Sequence, residues 1–160
     1  MSLQSVIHFF ETNAPDIRVL EMPTSTATVA EAAAVHGVEP GQIAKTLSLW
    51  LKDEVIILVM AGDTRLDNTK FKAEFNAKAR MLNAEEVLAW TGHPVGGVCP
   101  FGLPHPLRIF VDVSLRRFKE VLPAAGDIHA AARIDPERLG ALVNAQWVDI
   151  AKPADGSSSA

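Results

Sequence analysis

The sequence predicts an α+β fold built on a mixed, mainly antiparallel curved sheet. Residues 44–51 and 55–61 form two long apolar runs separated by three residues, which is typical of two strands joined by a tight turn. Segments with helical patterns and capping signals alternate with the extended runs, so helices are expected to cover the sheet. No glycine-rich phosphate-binding fingerprint follows any strand, and nothing therefore favours a nucleotide-binding, doubly wound fold.

Capping signals predict where three helices begin. Thr28 and Glu31 have the spacing of a capping box that opens an alanine-rich helix, and Gly37 is placed to end it. Asn83 caps a second helix, and Pro136 follows an aspartate as the first residue of a third. The remaining predicted elements are helical segments at 3–13, 67–75 and 114–118 and strands at 17–20, 107–113, 120–125, 129–134 and 148–150.

The composition excludes several classes of protein. The 160 residues predict one domain over residues 1–150, followed by a small, polar, disordered tail at 151–160. A net charge of -4 argues against a protein that grips long duplex DNA, and no specific DNA binding is expected. The longest apolar run is too short to span a membrane and no secretory signal is recognisable, so a cytoplasmic protein without membrane contact is expected.

Local basic clusters leave room for a few phosphate contacts. They are Lys70, Lys72, Lys78 and Arg80 in one segment and Arg116, Arg117 and Lys119 in another. Each cluster is interpreted first as a solvated face, and second as a set of contacts to the end of an RNA.

Lys45 lies within an otherwise apolar strand. Strand alternation places it on the same face as Leu47 and Leu49. Two interpretations stay open: an edge lysine that extends to water, or a cation at the mouth of a pocket that meets an anionic or carbonyl group.

The segment GGVCPFG at 96–102 contains the only cysteine of the chain. His93 and His105 are near enough in sequence for a Cys/His pair with Cys99, but both adjoin prolines, which predicts exposed loop positions. No nucleophile motif surrounds Cys99, so a small structural loop residue is favoured. One cysteine also excludes an internal disulfide or a multi-cysteine zinc site, and no histidine pair has metal-ligand spacing.

The backbone of this segment is the alternative functional element. Gly96 and Gly97 leave their N–H groups unobstructed, and Pro100 stiffens the far end. Such a loop can present amides to a carbonyl or carboxylate, as an oxyanion hole does, or it can be a plain turn.

Five motifs in order carry a resemblance to a known family. They are AKTL at 44–47, GD at 62–63, TGHPVGGVCPFG at 91–102, VDVSL at 111–115 and AAGDIHAAARIDPERL at 124–139. Over residues 20–150 the chain resembles the YbaK/ProX family of trans-editing aminoacyl-tRNA deacylases, relatives of the editing domain inserted in bacterial prolyl-tRNA synthetases. The resemblance implies a curved mixed sheet, barrel-like and wrapped by helices. It also implies hydrolysis of the ester between a mischarged amino acid and the terminal ribose of a tRNA.

The resemblance further implies which residues form the site. The implied catalytic residues are Lys45, Gly96, Gly97 and Pro100, and the implied substrate-binding residues are Thr46, Gly62, Asp63, Val98, Cys99, Asp112 and His129. Loop amides would stabilise the tetrahedral oxyanion, and the free ribose hydroxyl would help to activate water, without a metal or other cofactor. The implied partners are the acceptor end of a mischarged tRNA and a prolyl-tRNA synthetase.

The edited amino acid stays open. Thr46 stands where some alanine-specific members carry asparagine, and alanine, cysteine, serine and threonine are all compatible with the motifs. The expected substrate is tRNA-Pro carrying a small amino acid such as alanine or cysteine. The alternative is a binding module that holds an aminoacyl end or a synthetase without catalysis.

Overall fold

The computed structural model describes residues 2–154. Its helices are α1 (Ser2–Asn13), α2 (Val29–His36), α3 (Asn68–Phe75), α4 (Ala84–Thr91) and α5 (Pro136–Leu142). Its strands are β1 (Val19–Glu21), β2 (Ile43–Leu51), β3 (Glu54–Ala61), β4 (Thr64–Leu66), β5 (Arg80–Met81), β6 (Arg108–Asp112), β7 (Leu122–Pro123), β8 (Ala130–Ala132), β9 (Gln146–Val148) and β10 (Ala151–Pro153).

The predicted hairpin is the centre of the molecule. β2 and β3 pair in antiparallel register from Ala44 opposite Ala61 to Leu51 opposite Glu54. The turn between them contains no glycine, and Lys52 adopts a left-handed φ of 56° in its place. β3 is almost completely buried, because β2 and β6 cover its edges and the cores beneath α1 and α3 cover its faces.

The central sheet has the strand order β5-β2-β3-β6-β9, with β7 also paired to β2. β2 is antiparallel to β3 and β5, whereas the β2–β7, β3–β6 and β6–β9 pairs are parallel. Parallel pairing requires long crossover connections, which α3, α4 and α5 supply. The predicted α+β fold with a mixed sheet is confirmed, but the sheet stays open, and the barrel-like closure is not formed.

The two faces of the hairpin pack against different helices. Ile57 and Val59 belong to a core that contains Phe10 of α1, whereas Ile56 and Leu58 belong to a core that contains Phe71 of α3. The alternation follows from the two-residue repeat of a strand, which sends successive side chains to opposite faces.

The capping predictions are confirmed. The Thr28 hydroxyl accepts a hydrogen bond from the Glu31 amide, and Gly37 ends α2 with a left-handed φ of 67°. Asn83 caps α4 in the same way, and Pro136 is the first residue of α5.

Three segments near the C-terminal end differ from the predictions. The predicted strands at 120–125 and 129–134 meet only in isolated bridges, Val121 to Ile134 and Ala124 to Ala131, because β7 pairs with β2 and β8 pairs with β1. The last strand of the central sheet covers 146–148 rather than 148–150.

The expected disordered tail begins with an ordered strand. β10 (151–153) pairs antiparallel with β4, which ties the chain to the sheet side that bears α3. Residues 155–160 of the expected tail lie outside the described residues. Between residues 2 and 154, no helix has both the length and the apolar character needed to cross a membrane.

Candidate functional site: an apolar pocket beside strand β2

A cavity of about 300 Å³ opens beside β2, between this strand, α2, α4 and the loop at 95–98. Apolar side chains form most of its wall: Val29, Ala32, Ile43, Leu47, Leu82, Val87, Val95, Val98 and Leu122. Polar groups of Lys45, Thr46 and Ser48 lie along the β2 side, and Lys45 is the one charged side chain among the described residues that line the cavity. The site can therefore enclose a small organic group and contact it with a few polar groups.

Lys45 is half-buried and its ammonium group is held in place. The Nζ atom donates a hydrogen bond to the Thr64 carbonyl, just beyond the end of β3. Burial lowers the pKa of Lys45, and the negative charge of Asp63 opposes this shift. Lys45 shares its side of β2 with Leu47 and Leu49, as the alternation predicts, and the structure places it at the wall of the pocket.

Asp63 does not line the pocket but lies behind Lys45. Its carboxylate accepts two hydrogen bonds from Arg117, at 2.6 and 3.1 Å. These bonds are the main reason why the pKa of Asp63 is lowered, and the positive charge of Lys45 lowers it further. Asp63 therefore acts on the site through the charge that it presents to Lys45.

The glycine loop contributes two positions to the pocket, Gly96 and Val98. Gly96 has a left-handed φ of +89°, and a Cβ atom at this position would lie 2.9 Å from the Cβ of Ala27. Within residues 2–154, the amides of Gly96 and Val98 donate to no protein acceptor. Both amides are thus available to a bound ligand.

Both backbone polar groups of Gly97 are bonded within the protein. Its N–H donates to the Pro94 carbonyl at 2.9 Å, and its own carbonyl accepts from the Gly126 amide at 2.9 Å. A Cβ atom on Gly97 would lie only 2.7 Å from the Asp127 nitrogen. Gly97 therefore packs backbone against backbone, and its amide is not free for an oxyanion. Pro100 is buried and also does not line the pocket.

Thr46 combines a position in the pocket wall with an unpartnered polar atom. Its Oγ1 is buried and makes no hydrogen bond with the described residues. A buried hydroxyl without a partner is costly, so a ligand group that bonds to it would recover that cost.

Cys99 and His93 lie beneath the loop rather than in the pocket. The expectation that His93 is exposed is wrong: His93 and Cys99 are both fully buried. The His93 Nε2 donates to the Phe101 carbonyl at 2.8 Å and lies 3.5 Å from the Cys99 sulfur. Burial raises the pKa of the Cys99 thiol to about 12, which keeps it protonated and opposes a nucleophilic role.

The other implied residues lie outside the pocket wall. Gly62 packs against the Pro40 carbonyl, where a Cβ atom would lie 2.3 Å away. Asp112 is buried and accepts hydrogen bonds from the amides of Ser114, Ile150 and Ala151 at 2.8, 2.7 and 3.2 Å. These bonds explain why the chain leaves the sheet after residue 148. His129 is partly exposed, beside Asp127 at 3.5 Å.

The two basic clusters are partly neutralised. Arg116 pairs with Glu137, and Arg117 with Asp63, at 2.7 and 2.6 Å. Lys70 pairs with Asp149 at 3.1 Å. The interpretation as solvated surface therefore fits these three residues. Among the described residues, no group of three or more His, Cys, Asp or Glu side chains is placed to hold a metal ion.

The apolar wall is the part of the site that sequence reasoning missed. Val29, Val87 and Leu122 belong to helices and strands whose patterns also occur in any packed core. The sequence contains one signal for this wall, the helix-capping boxes. They place α2 and α4 correctly, but they do not show that a cavity separates these helices from β2.

The chain is similar in sequence and in structure to several known proteins. YwhH of Bacillus subtilis (strain 168), an uncharacterized protein, is 46% identical over 155 residues, which is 95% of this chain and 98% of that protein. The candidate Cys-tRNA(Pro)/Cys-tRNA(Cys) deacylase EbsC of Enterococcus faecalis is 30% identical and covers 79% of this chain and 76% of its own length. A crystal structure described as a candidate trans-editing enzyme for prolyl tRNA synthetase superposes with a TM-score of 0.88 at 35% identity, covering 94% of this chain and 97% of that one.

The family model of the aminoacyl-tRNA editing domain matches residues 24–142. This range includes β2, the glycine loop and all the residues that line the pocket. The chain therefore belongs to the YbaK-type aminoacyl-tRNA editing domain family.

Proposed function

We propose that this protein hydrolyses, in trans, the ester of a mischarged tRNA, with tRNA-Pro carrying a small amino acid such as alanine or cysteine as its substrate. The observation that carries the proposal is the pocket beside β2. It combines a fixed cation, Lys45, with the unbonded amides of Gly96 and Val98 and an apolar wall. These are the groups that recognition of an aminoacyl ester requires: a cation near phosphate or ester oxygen, donors for an oxyanion, and a compartment for a side chain.

The reaction needs no nucleophile from the protein. Water adds to the ester carbonyl carbon, and the carbonyl oxygen becomes an oxyanion that accepts hydrogen bonds from the amides of Gly96 and Val98. The bond between the carbonyl carbon and the ribose oxygen then breaks, and that oxygen takes the proton that water gave up. The free ribose hydroxyl next to the ester is placed to relay this proton. Donors fixed before the reaction stabilise such an oxyanion by about 3–4 kcal/mol each.

The apolar wall of the pocket favours certain amino acids on the tRNA. Val29, Val87 and Val98 present no polar atoms to a bound side chain, which favours small apolar groups or a thiol. One methylene changes binding by only about 1–3 kcal/mol, so the pocket separates similar amino acids weakly. The names of EbsC and of the crystal structure above support tRNA-Pro and a prolyl-tRNA synthetase as partners. Because translation takes place there, we propose the cytoplasm as the site of action.

The test is a panel of tRNAs charged with alanine, cysteine, serine, threonine and proline. Wild-type protein is expected to hydrolyse one or more mischarged species, and Lys45→Ala to lose about 10- to 100-fold in kcat/KM because the cation at the site is absent. Lys152→Ala removes a partly buried strand lysine that lies outside the pocket and outside both basic clusters, and it serves as the matched control. Tight tRNA binding without turnover for any species would favour a binding module instead.

A further inference from the structure

One edge of β2 is unpaired beside the pocket. Among the described residues, β7 pairs with this edge at Ile43 and Ala44, and β5 pairs with it at Leu49 and Trp50. No strand pairs with residues 45–48 on this edge, a gap of roughly 13 Å at the usual rise per residue. The gap coincides with the residues of β2 that line the pocket.

The register shows which backbone groups point into the gap. Alternate residues of a strand direct their N–H and C=O groups to opposite edges. Leu51 and Glu54 close the hairpin with β3, so the odd-numbered residues of β2 bond to β3. On the other edge, the Ser48 carbonyl accepts from the Leu82 amide at 3.3 Å, so the even-numbered residues face that way.

Thr46 is the residue that faces the gap without a strand partner. Of its even-numbered neighbours, Ala44 pairs with β7 and Ser48 bonds to Leu82. Thr46 therefore directs its N–H and its C=O into the gap, and it is also the pocket-lining residue whose buried Oγ1 has no partner among the described residues. A sheet edge that is accessible and has unpaired backbone groups is the place where an additional extended segment adds to a sheet.

The charges that line the pocket indicate which part of the substrate the unpaired edge of β2 would bind. An aminoacyl ester carries an α-ammonium group, yet no Asp or Glu lines the pocket, and the one charged side chain there is a cation. Asp63, whose charge acts on Lys45, does not line the pocket, and its carboxylate accepts hydrogen bonds from Arg117. The ammonium group must therefore bind to uncharged oxygen acceptors, and Thr46 supplies two of them.

We infer that Thr46 pairs with the aminoacyl group as one residue of a strand pairs with its antiparallel neighbour. The Thr46 carbonyl and Oγ1 accept hydrogen bonds from the α-ammonium. The Thr46 N–H is a third donor to the ester carbonyl oxygen, beside the amides of Gly96 and Val98. This inference rests on the proposed function and adds a substrate requirement to it: a free α-amino group. The backbone of Thr46 then recognises the part that all amino acids share, and the apolar wall alone distinguishes their side chains.

The direct test is the 15N-labelled protein titrated with 3′-deoxy-3′-(L-alanylamino)adenosine, a stable amide analogue of the charged tRNA end. The amide resonance of Thr46 is expected to shift as the analogue binds. The amides of Ala44 and Trp50 serve as internal controls, because β7 and β5 pair with this edge at those residues, and are expected to shift far less. Shifts at Gly96 and Val98 with an unmoved Thr46 would overturn the inference while leaving the proposed function intact.

A second test removes the α-ammonium from the substrate. Alanyl-tRNA, N-acetyl-alanyl-tRNA and lactyl-tRNA are compared with wild-type protein; where the panel shows that cysteine is preferred, the cysteinyl and N-acetyl-cysteinyl species are used. Acetylation is expected to reduce kcat/KM at least about 100-fold, because a site built for hydrogen bonds rejects a ligand that leaves them unmade. Lactyl-tRNA carries a hydroxyl in place of the α-ammonium and keeps one hydrogen-bond donor, so its kcat/KM is expected to be about 10-fold lower than that of alanyl-tRNA.

The outcomes separate the two proposals. Equal hydrolysis of free and N-acetylated species contradicts the role of Thr46 but supports the deacylase. Hydrolysis of none of the panel contradicts the deacylase, and the inference falls with it. The Thr46 hydroxyl is tested by substitution. Thr46→Val is expected to raise KM about 5- to 10-fold, and Thr46→Ser is expected to keep the wild-type KM because serine retains the oxygen. A KM unchanged in Thr46→Val would remove Oγ1 from the interaction.

Discussion

Residues 95–98 and residues 99–102 are consecutive halves of one loop, but their environments are opposite. The first half borders the pocket: Val95 is 62% exposed, and the amides of Gly96 and Val98 have no protein acceptor within the described residues. The second half is core: Cys99 and Phe101 have no exposed surface. The ring of Phe101 packs against Phe10, with centroids 4.6 Å apart.

The difference between the two halves shows how packing can hold a flexible glycine in a fixed position. Glycine at Gly96 leaves the amides of the pocket half accessible, but it costs conformational entropy and does not hold a position. The buried half supplies the position through Phe101. The Phe101 carbonyl accepts a hydrogen bond from His93, whose Nδ1 lies 2.5 Å from the Ser2 hydroxyl in α1. Free donors and the packing that fixes them are therefore contributed by adjacent residues.

The strongest test of this division is Gly96→Val. A side chain at φ +89° is strained, and its Cβ would press on Ala27 at 2.9 Å, which would turn or block the pocket amides. We expect a loss of about 100-fold or more in deacylation rate, comparable to the loss of an oxyanion donor. Single-turnover hydrolysis measures the effect, and circular dichroism verifies the fold. Activity within a few-fold of wild type would contradict an oxyanion role for this half.

Gly97→Ala probes the contact between the loop and the 126–127 turn. The added Cβ would lie 2.7 Å from the Asp127 nitrogen, and backbone on both sides cannot move aside easily. We expect the free energy of unfolding to fall by about 1–3 kcal/mol, as in other overpacked sites. Urea denaturation measures this change. Unaltered stability combined with lost activity would instead return the Gly97 amide to the catalytic group.

The pH dependence of stability tests the buried anchor. Burial lowers the pKa of His93 below 6.5, so below this pH the unfolded chain binds a proton that the folded chain does not. Stability should thus fall as the pH drops below 6.5, with a slope of at most about 1.4 kcal/mol per pH unit for this residue. Urea denaturation between pH 7 and pH 5 measures the slope.

The matched variants are His93→Gln and His36→Gln. The pKa of His36 is also lowered by burial, but His36 is partly exposed. His93→Gln should therefore flatten the slope more than His36→Gln does. The same slope in wild type and in His93→Gln would contradict a lowered pKa for His93 in the folded protein.

The smallest effect is expected for Cys99→Ser. The thiol is buried, its pKa is raised to about 12, and it does not line the pocket. Activity should stay within about threefold of wild type, with a stability cost of about 1–2 kcal/mol for burying a hydroxyl. Steady-state deacylation and thermal unfolding give both values. A folded Cys99→Ser protein without activity would make the cysteine a participant in the reaction.

Local signals predicted most of the fold, because they depend on residues close in sequence. The β2–β3 hairpin and the caps at Thr28 and Asn83 are of this kind. The parallel pairing of β3 with β6, in contrast, depends on a crossover through two helices, which no local pattern specifies.

The candidate site was predictable in part for the same reason. The motifs pointed to Lys45, Thr46, Gly96 and Val98, and the structure brings all four to one cavity. Motifs do not distinguish a residue that lines a site from one that supports it. Asp63 and Gly97 do not line the cavity, and their bonding groups are used by Arg117, Pro94 and Gly126.

The gap in pairing along β2 has a consequence for exchange of backbone hydrogens with solvent. Amides in the middle of a buried sheet normally exchange only through global unfolding. Because Thr46 has no strand partner on the pocket edge, its amide hydrogen should exchange with deuterium much faster than those of Lys45 and Leu47, which bond to β3. The centre of a buried sheet would thus contain a fast-exchanging position at Thr46, and occupancy of the pocket would slow its exchange.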